Sequence, residues 1–138
     1  YEYFENIYSH HFNEENLSIR KKITKVNQII AEHEEKIANP ILEFISSNNN
    51  LKLIGKNNIS NKNRAPTISF VSKEISSKEL SDKLVESKIA TRNDNFYAWR
   101  CLKALGIDLD DGVIRASLVH YNTIDDTNKL IESLDRIN

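Results

Sequence analysis

The feature that most constrains the fold is a run of apolar residues that repeats every three or four positions between residues 19 and 44. This spacing places the apolar side chains on one face of a long helix. Proline has no backbone N–H, so we predict that the helix is kinked or interrupted at Asn39–Pro40. His33 lies on the apolar face, and we predict a packed or rim histidine there rather than a metal or substrate ligand. The other positions of the stripe are Ile19, Ile23, Val26, Ile30, Ile37, Ile41 and Phe44.

Short apolar runs alternate with helical patterns along the rest of the chain. The predicted strands are 51–54, 67–71, 89–92 and the run around residue 115. Helices are predicted within 3–12, after the Ser76/Glu79 capping box, before Gly106, and after Asn122 or Thr123 with Asp126 as a weaker capping box. The order helix, long helix, strand, strand, helix, strand, helix, strand, helix predicts an α+β fold, with helices covering one side of a mostly antiparallel or mixed sheet.

The chain of 138 residues has the length of one domain. We divide it into a helical lead-in (1–45), a polar loop with a short strand (46–65) and an α/β core (66–138). The sequence contains no methionine and opens directly on the aromatic-rich stretch "YEYFENIYSHHF". We therefore expect a piece of a larger protein, with a trimmed terminus as the alternative.

Composition narrows the classes of partner. Nineteen basic residues nearly balance twenty acidic ones, so no overall field would attract nucleic acid. No apolar run approaches the roughly 20 residues that span a bilayer. Cys101 is the only cysteine, which excludes an intramolecular disulfide and fits a cytoplasmic location. The turn "DLDDG" lacks the later glutamate of a calcium loop. His10 and His11 are adjacent and so point in different directions on a helix. No metal site is therefore predicted.

Arg115 is the residue that most needs an explanation, because it interrupts an apolar strand. Alternation places Arg115 on the face opposite Ile114, Ala116 and Leu118, which form the core face. A guanidinium leaving water needs an anionic partner. Two partners remain open at this point: a ligand carboxylate in a cleft, or one of the acids in "DLDD". His120, at the end of the same strand, is predicted to be a satisfied structural residue.

A second candidate region is the stretch "TRNDNFYAWR", in which a short strand leads through a polar turn into a helix. Loops that follow strands are common positions for binding residues. Asn95, Phe96 and Tyr97 lie in this turn and are the candidate loop residues.

These two regions carry a resemblance to a known family. The tail "RNDNFYAWRCLKALGIDLDDGVIRASLVHYNTIDDTNKLIESLDRI", and within it the pattern R-A-S-L-x-x-Y-N-T, resembles the C-terminal end of class V aminotransferases, in particular the cysteine desulfurase-like proteins. The resemblance extends back through "APTISFVSKEISSKELSDKLVESKIATR" and the long helix. It implies a fold-type-I enzyme with pyridoxal 5′-phosphate, in which a small C-terminal domain closes over a cofactor held by a larger domain.

The resemblance also implies roles for single residues. Arg115 matches the arginine that clamps the α-carboxylate of the amino-acid substrate, and Arg92 matches an arginine at the base of the active-site loop formed by Asn95, Phe96 and Tyr97. The persulfide-forming cysteine of desulfurases falls at Tyr97. Cys101 lies one helical turn later, where we expect a packed side chain that reacts slowly with thiol reagents. The lysine that binds the cofactor has no match here.

The sequence thus predicts the substrate-clamping C-terminal domain of a pyridoxal-phosphate-dependent enzyme. No catalytic residue is expected in this chain, which should be inactive alone. The expected partners are an amino-acid substrate and an N-terminal cofactor-binding domain of the same protein, within a homodimeric parent. The alternative is a non-catalytic binding or dimerisation α+β domain.

Overall fold

A computed structural model describes residues 1–14, 16–57 and 64–137. The order of helices and strands agrees with the predicted one over this part of the chain. The elements are α1 (Glu2–His11), α2 (Ile19–Ser47), β1 (Leu51–Ile54), β2 (Thr67–Ser72), α3 (Ser77–Glu86), β3 (Arg92–Asp94), α4 (Trp99–Ala104), β4 (Val113–Ser117) and α5 (Ile124–Ile137).

The four strands form one antiparallel sheet in the order β1-β2-β4-β3. In this register Ile114 lies opposite Phe70, while Arg115 lies opposite Ser69 on one side and Arg92 on the other. The predicted α+β class, with helices on an antiparallel sheet preceded by a long helix, is confirmed.

The helices pack on one face of the sheet and bury it. β4 presents Ile114 and Ala116 to this core, and β2 presents Ile68 and Phe70. The alternation predicted for β4 is therefore confirmed, and Arg115 points to the other face. The helical side chains of the core come from α2 (Ile37, Ala38, Ile41, Leu42, Ile45), α3 (Leu80, Leu84) and α5 (Leu130, Leu134).

Helix α2 runs without a break through Pro40, so the predicted interruption is not formed. Pro40 cannot donate a backbone hydrogen bond to the preceding turn, which weakens the helix locally. The residues on both sides of it, Ala38 and Ile41, are almost fully buried in the core. Their packing stabilises the helix where its hydrogen bonding is incomplete. Although α2 is 29 residues long, no helix in the described ranges is apolar enough to cross a membrane.

The third strand begins later than predicted, at Arg92 rather than Ile89. Ile89 instead lies immediately after the turn that follows α3, where its N–H donates to the carbonyl of Leu84 at 3.0 Å. Lys88 takes a left-handed conformation (φ 59°) and donates to the carbonyl of Val85 at 2.8 Å. These two bonds form a Schellman motif, whose apolar residue after the helix packs back onto it. The apolar signal at Ile89 therefore marks a helix end.

The predicted polar loop (46–65) contains the end of α2 and the predicted strand β1. The remainder of its asparagine-rich sequence, at residues 58–63, lies outside the described residues.

The predicted N-cap of α3 and the predicted capping box of α5 are formed. The Ser76 side chain accepts a hydrogen bond from the Glu79 N–H at 3.1 Å. At α5, Asp126 accepts from the Thr123 N–H at 2.9 Å, and Thr123 Oγ1 accepts from the Asp126 N–H at 3.3 Å. Thr123 rather than Asn122 is therefore the N-cap.

The Asp126 box predicts a pH-dependent contribution to stability. Hydrogen bonds from the Thr123 backbone and then the Asn122 side chain hold the pKa of the Asp126 carboxyl below its usual range. This contribution is complete above the unfolded pKa of about 3.9 and is lost as pH falls through the folded value. We expect Asp126→Ala to lower the urea midpoint at pH 7, with the difference from wild type shrinking below pH 4. The control is Asp125→Ala, which removes a charge from the first turn of α5 without removing the capping box. A decrease in the urea midpoint as large as that of Asp126→Ala would contradict the capping explanation.

Candidate functional site

The candidate site lies on the face of the sheet opposite the helical core. Arg115 emerges there from the middle of β4, half-buried, between the exposed Ser117 and the buried Val113. Ser117 accepts a hydrogen bond from Thr67 of β2 at 3.4 Å. This face is therefore more polar and more open than the core face, as alternation predicts.

Arg92 is the cross-strand neighbour of Arg115. Directly opposed side chains of antiparallel strands share a face, with Cβ atoms about 5 Å apart. Two guanidinium groups in this position repel each other, which destabilises the pair in the absence of an anion. Arg92 is exposed, and no ion pair joins either arginine to a described carboxylate. The structure brings these two predicted residues together and leaves their charges available for an anion.

The predicted alternative partner of Arg115, an acid of "DLDD", is occupied elsewhere. Asp108 accepts a hydrogen bond from the Asp110 N–H at 3.0 Å, within the turn. Asp111 accepts from the Ser77 N–H at 2.8 Å and so binds the first turn of α3. Within the described residues, the internal ion pair to Arg115 is not formed.

The guanidinium of Arg115 contacts the side chain of Phe96. The guanidinium carbon lies 4.2 Å from the centre of the Phe96 ring, which is a cation–π contact. The Nε atom of Arg115 is buried and has no hydrogen-bond partner in the described part of the chain. Sequence reasoning named Phe96 as a loop residue but did not predict this stacking, because nothing local in the sequence relates positions 96 and 115.

The loop between β3 and α4 has an unusual backbone. Phe96 and Tyr97 both have positive φ angles, 51° and 60°. Bulky residues rarely adopt this conformation, which costs roughly 1–3 kcal/mol at each position. Asn95 holds the turn, because its side chain accepts from the Tyr97 N–H at 3.0 Å and donates to the Leu109 carbonyl at 3.4 Å. The three predicted loop residues thus form one strained turn beside Arg115, with Tyr97 95% exposed.

Gly112 allows this loop to approach the start of β4. A Cβ atom at position 112 would lie 2.3 Å from the carbonyl carbon of Asp94 and 2.7 Å from the Asn95 nitrogen. The φ angle of 72° also favours glycine. The close contact at Gly112 therefore sets where the 95–97 loop begins relative to Arg115.

Cys101 is exposed, so the prediction of a packed side chain is wrong, and the physical reason for expecting a slow reaction is lost. Helix α4 has only six residues and buries Leu102, which leaves Cys101 on its outer side. We now expect a thiol reagent to modify Cys101 in the native chain about as fast as in denaturant. Labelling that is much slower in the native chain would contradict this exposure, and Cys101→Ser gives the background rate.

The histidines make structural contacts. His33 Nε2 donates to the Asn122 carbonyl at 2.8 Å, and His120 contacts the Tyr3 hydroxyl. Both line a cavity of 340 Å³ between α1, α2 and the segment after β4. Within the described ranges, no group of three or more histidine, cysteine, aspartate or glutamate side chains is placed to hold a metal ion.

Comparisons with known sequences give a consistent result. Residues 17–130 match the sequence model of the family described as aminotransferase class-V. The aminotransferase-like protein FGM3 of Gibberella zeae is 33% identical over 110 residues, which are 78% of this chain and 27% of that protein. The chain therefore spans about a quarter of the length of this curated relative.

Solved structures with the same fold include two bacterial or archaeal enzymes. A cysteine desulfurase from Thermococcus onnurineus, in its apo form, superposes with a TM-score of 0.70 at 22% identity, over 84% of this chain and 28% of that one. The cysteine desulfurase CsdA from Escherichia coli gives 0.66 at 22% identity, over 80% of this chain and 25% of that one. At such identities the similarity concerns the fold.

Proposed function

The chain belongs to the class V aminotransferase family, and from this premise we propose that it is the substrate-clamping C-terminal domain of an enzyme that acts on an amino acid. Membership of the family confirms the resemblance drawn from the sequence and implies pyridoxal 5′-phosphate as the cofactor of the complete protein. That cofactor acts as an electron sink for amino-acid chemistry.

One observation carries the proposal: Arg115 is a half-buried cation on an open sheet face, with no carboxylate partner among the described residues. A guanidinium offers parallel N–H donors that fit a carboxylate bidentately. The neighbouring Arg92 adds positive charge on the same face. In the proposed role, Arg115 binds the α-carboxylate, while Arg92 and the loop of Asn95, Phe96 and Tyr97 border the substrate.

The described residues do not themselves fit the cofactor. A lysine that binds pyridoxal phosphate is typically desolvated, which lowers its pKa and frees its amine. No described lysine is buried. We therefore place the cofactor on a larger N-terminal domain of the parent, which we further propose to be a cytoplasmic homodimer, and we assign no cofactor chemistry to this chain.

Cysteine desulfurases carry their persulfide-forming cysteine at a position that helps to indicate the reaction type of this protein. Tyr97 occupies it, and a phenol cannot accept sulfur as a thiolate does. Cys101 is exposed but lies on α4, outside the loop. Transamination, lyase chemistry and epimerisation therefore rank above desulfuration.

The proposal can be tested on the full-length protein loaded with pyridoxal phosphate. Amino acids should change the cofactor absorbance at much lower concentrations than the amines that lack only the carboxylate, because Arg115 would bind that group. Equal responses to both series, or a full-length protein that does not bind the cofactor, would favour a non-catalytic binding domain. The isolated 138-residue chain, reduced with borohydride in the presence of the cofactor, should show no stoichiometric labelling of one lysine.

A further inference from the structure

The contact between Phe96 and Arg115 joins the two parts of the candidate site. Arg115 comes from β4 in the middle of the sheet, and Phe96 comes from the loop after the edge strand β3. The central carbon of the guanidinium lies over the Phe96 ring, 4.2 Å from its centre. In an arginine the N–H donors lie in the plane of the group, so a ring that covers the face of the group leaves the donors at its edge open to a ligand.

An arginine side chain has several rotatable bonds and loses entropy when it binds a ligand. Here burial of the Nε atom already restricts part of the Arg115 side chain, and no hydrogen bond from another described residue holds that atom. The Phe96 ring contacts the guanidinium itself. The free chain therefore already holds Arg115 in a restricted set of orientations.

The loop that carries Phe96 is held in place by contacts independent of Arg115. Its first residue, Asn95, bonds to Tyr97 and to Leu109, and the backbone at 94–95 packs against Gly112. Such contacts are needed, because a positive φ at Phe96 is unfavourable without support from the surroundings. The ring is thus presented to Arg115 by a preformed turn.

From this arrangement we infer that Phe96 is a positioning residue, which orients the guanidinium of Arg115 so that its edge donors meet the substrate carboxylate. The inference rests on the proposed substrate-binding role of Arg115. Phe96 acts through Arg115 and does not need to touch the carboxylate itself. Its aromatic face matters, because an aliphatic side chain of similar size offers packing but no quadrupole for the cation.

The test compares Phe96→Leu with Phe96→Tyr in the full-length enzyme. Removing the ring should raise KM for the amino acid by roughly 3- to 30-fold, the range expected for a cation–π contact, with a smaller change in kcat. Phe96→Tyr keeps the ring and should stay within about twofold of wild type. If Phe96→Leu proves unstable, Phe96→Met replaces it, since methionine adapts to irregular space.

A double-mutant cycle with Arg115→Ala separates this inference from the proposed function. If Phe96 acts through Arg115, Phe96→Leu should have little further effect on substrate affinity once Arg115 is alanine. Two results would refute the positioning role of Phe96 and leave the proposed substrate-binding role of Arg115 intact. In one, Phe96→Leu weakens substrate binding equally with arginine or alanine at position 115. In the other, it does not weaken substrate binding at all in the wild type. If Arg115→Ala alone left affinity unchanged, the proposed function itself would fail.

Discussion

Replacing Arg115 by alanine in the full-length protein should lower kcat/KM for the amino-acid substrate by roughly 30- to 1,000-fold, about 2–4 kcal/mol of transition-state binding. In its proposed role Arg115 makes two parallel charge-assisted hydrogen bonds to the carboxylate, and alanine would lose both. Arg115→Lys keeps the charge but not the paired geometry, so it should already weaken the complex. Steady-state kinetics on both variants measures the effect.

The melting temperature should change little in the same variants. Arg115 makes no ion pair with a described residue, and its substitution leaves the core face of β4 intact. Arg100, an exposed arginine on α4, supplies the control: Arg100→Ala should change neither kcat/KM nor the melting temperature. A marked loss of stability on Arg115→Ala with unchanged substrate affinity would instead identify Arg115 as a structural residue.

Replacing Gly112 by alanine should destabilise the chain by about 3 kcal/mol or more. Alanine at a positive φ costs roughly 1–2 kcal/mol, and overlap with neighbouring atoms adds to it. The overlap here is with the backbone of Asp94 and Asn95, which cannot move away as a flexible side chain would. Urea unfolding followed by circular dichroism measures the change.

Gly106 provides the matched control for this substitution. It also has a positive φ, 67°, but a Cβ atom there would meet no atom of the described residues within 4 Å. Gly106→Ala should therefore show the conformational cost alone, roughly 1–2 kcal/mol. The difference between the two variants isolates the contact between Gly112 and the 94–95 backbone. Equal losses would mean that this backbone yields easily and does not set the position of the loop.

Several features could be predicted because their causes lie within a few residues of each other. The Ser76 and Thr123 side chains cap their helices by accepting from backbone N–H groups three positions later, and Gly106 ends α4 through its own left-handed conformation. The orientation of Arg115 away from the core follows from the two-residue period of a strand. The family was recognised from an ordered pattern of residues in the tail.

The features that the sequence left open or predicted wrongly depend on residues far apart in the chain. Alternation identified the face of Arg115, but only the pairing of β3 with β4 placed Arg92 opposite it. Only the tertiary structure shows that Asp108 and Asp111 accept hydrogen bonds from backbone donors and that Arg115 contacts Phe96.

The sequence by itself determined the order of the elements, the ends of several helices and the family, because local hydrogen bonding and side-chain periodicity specify them. The continuity of α2 through Pro40 was decided by the tertiary structure, since core packing compensates for the missing hydrogen bond. The tertiary structure also decided the exposure of Cys101 on the short helix α4. The contact of Phe96 with Arg115 is likewise a result of the tertiary structure. It depends on the loop after the edge strand, which packs against the start of β4 at Gly112.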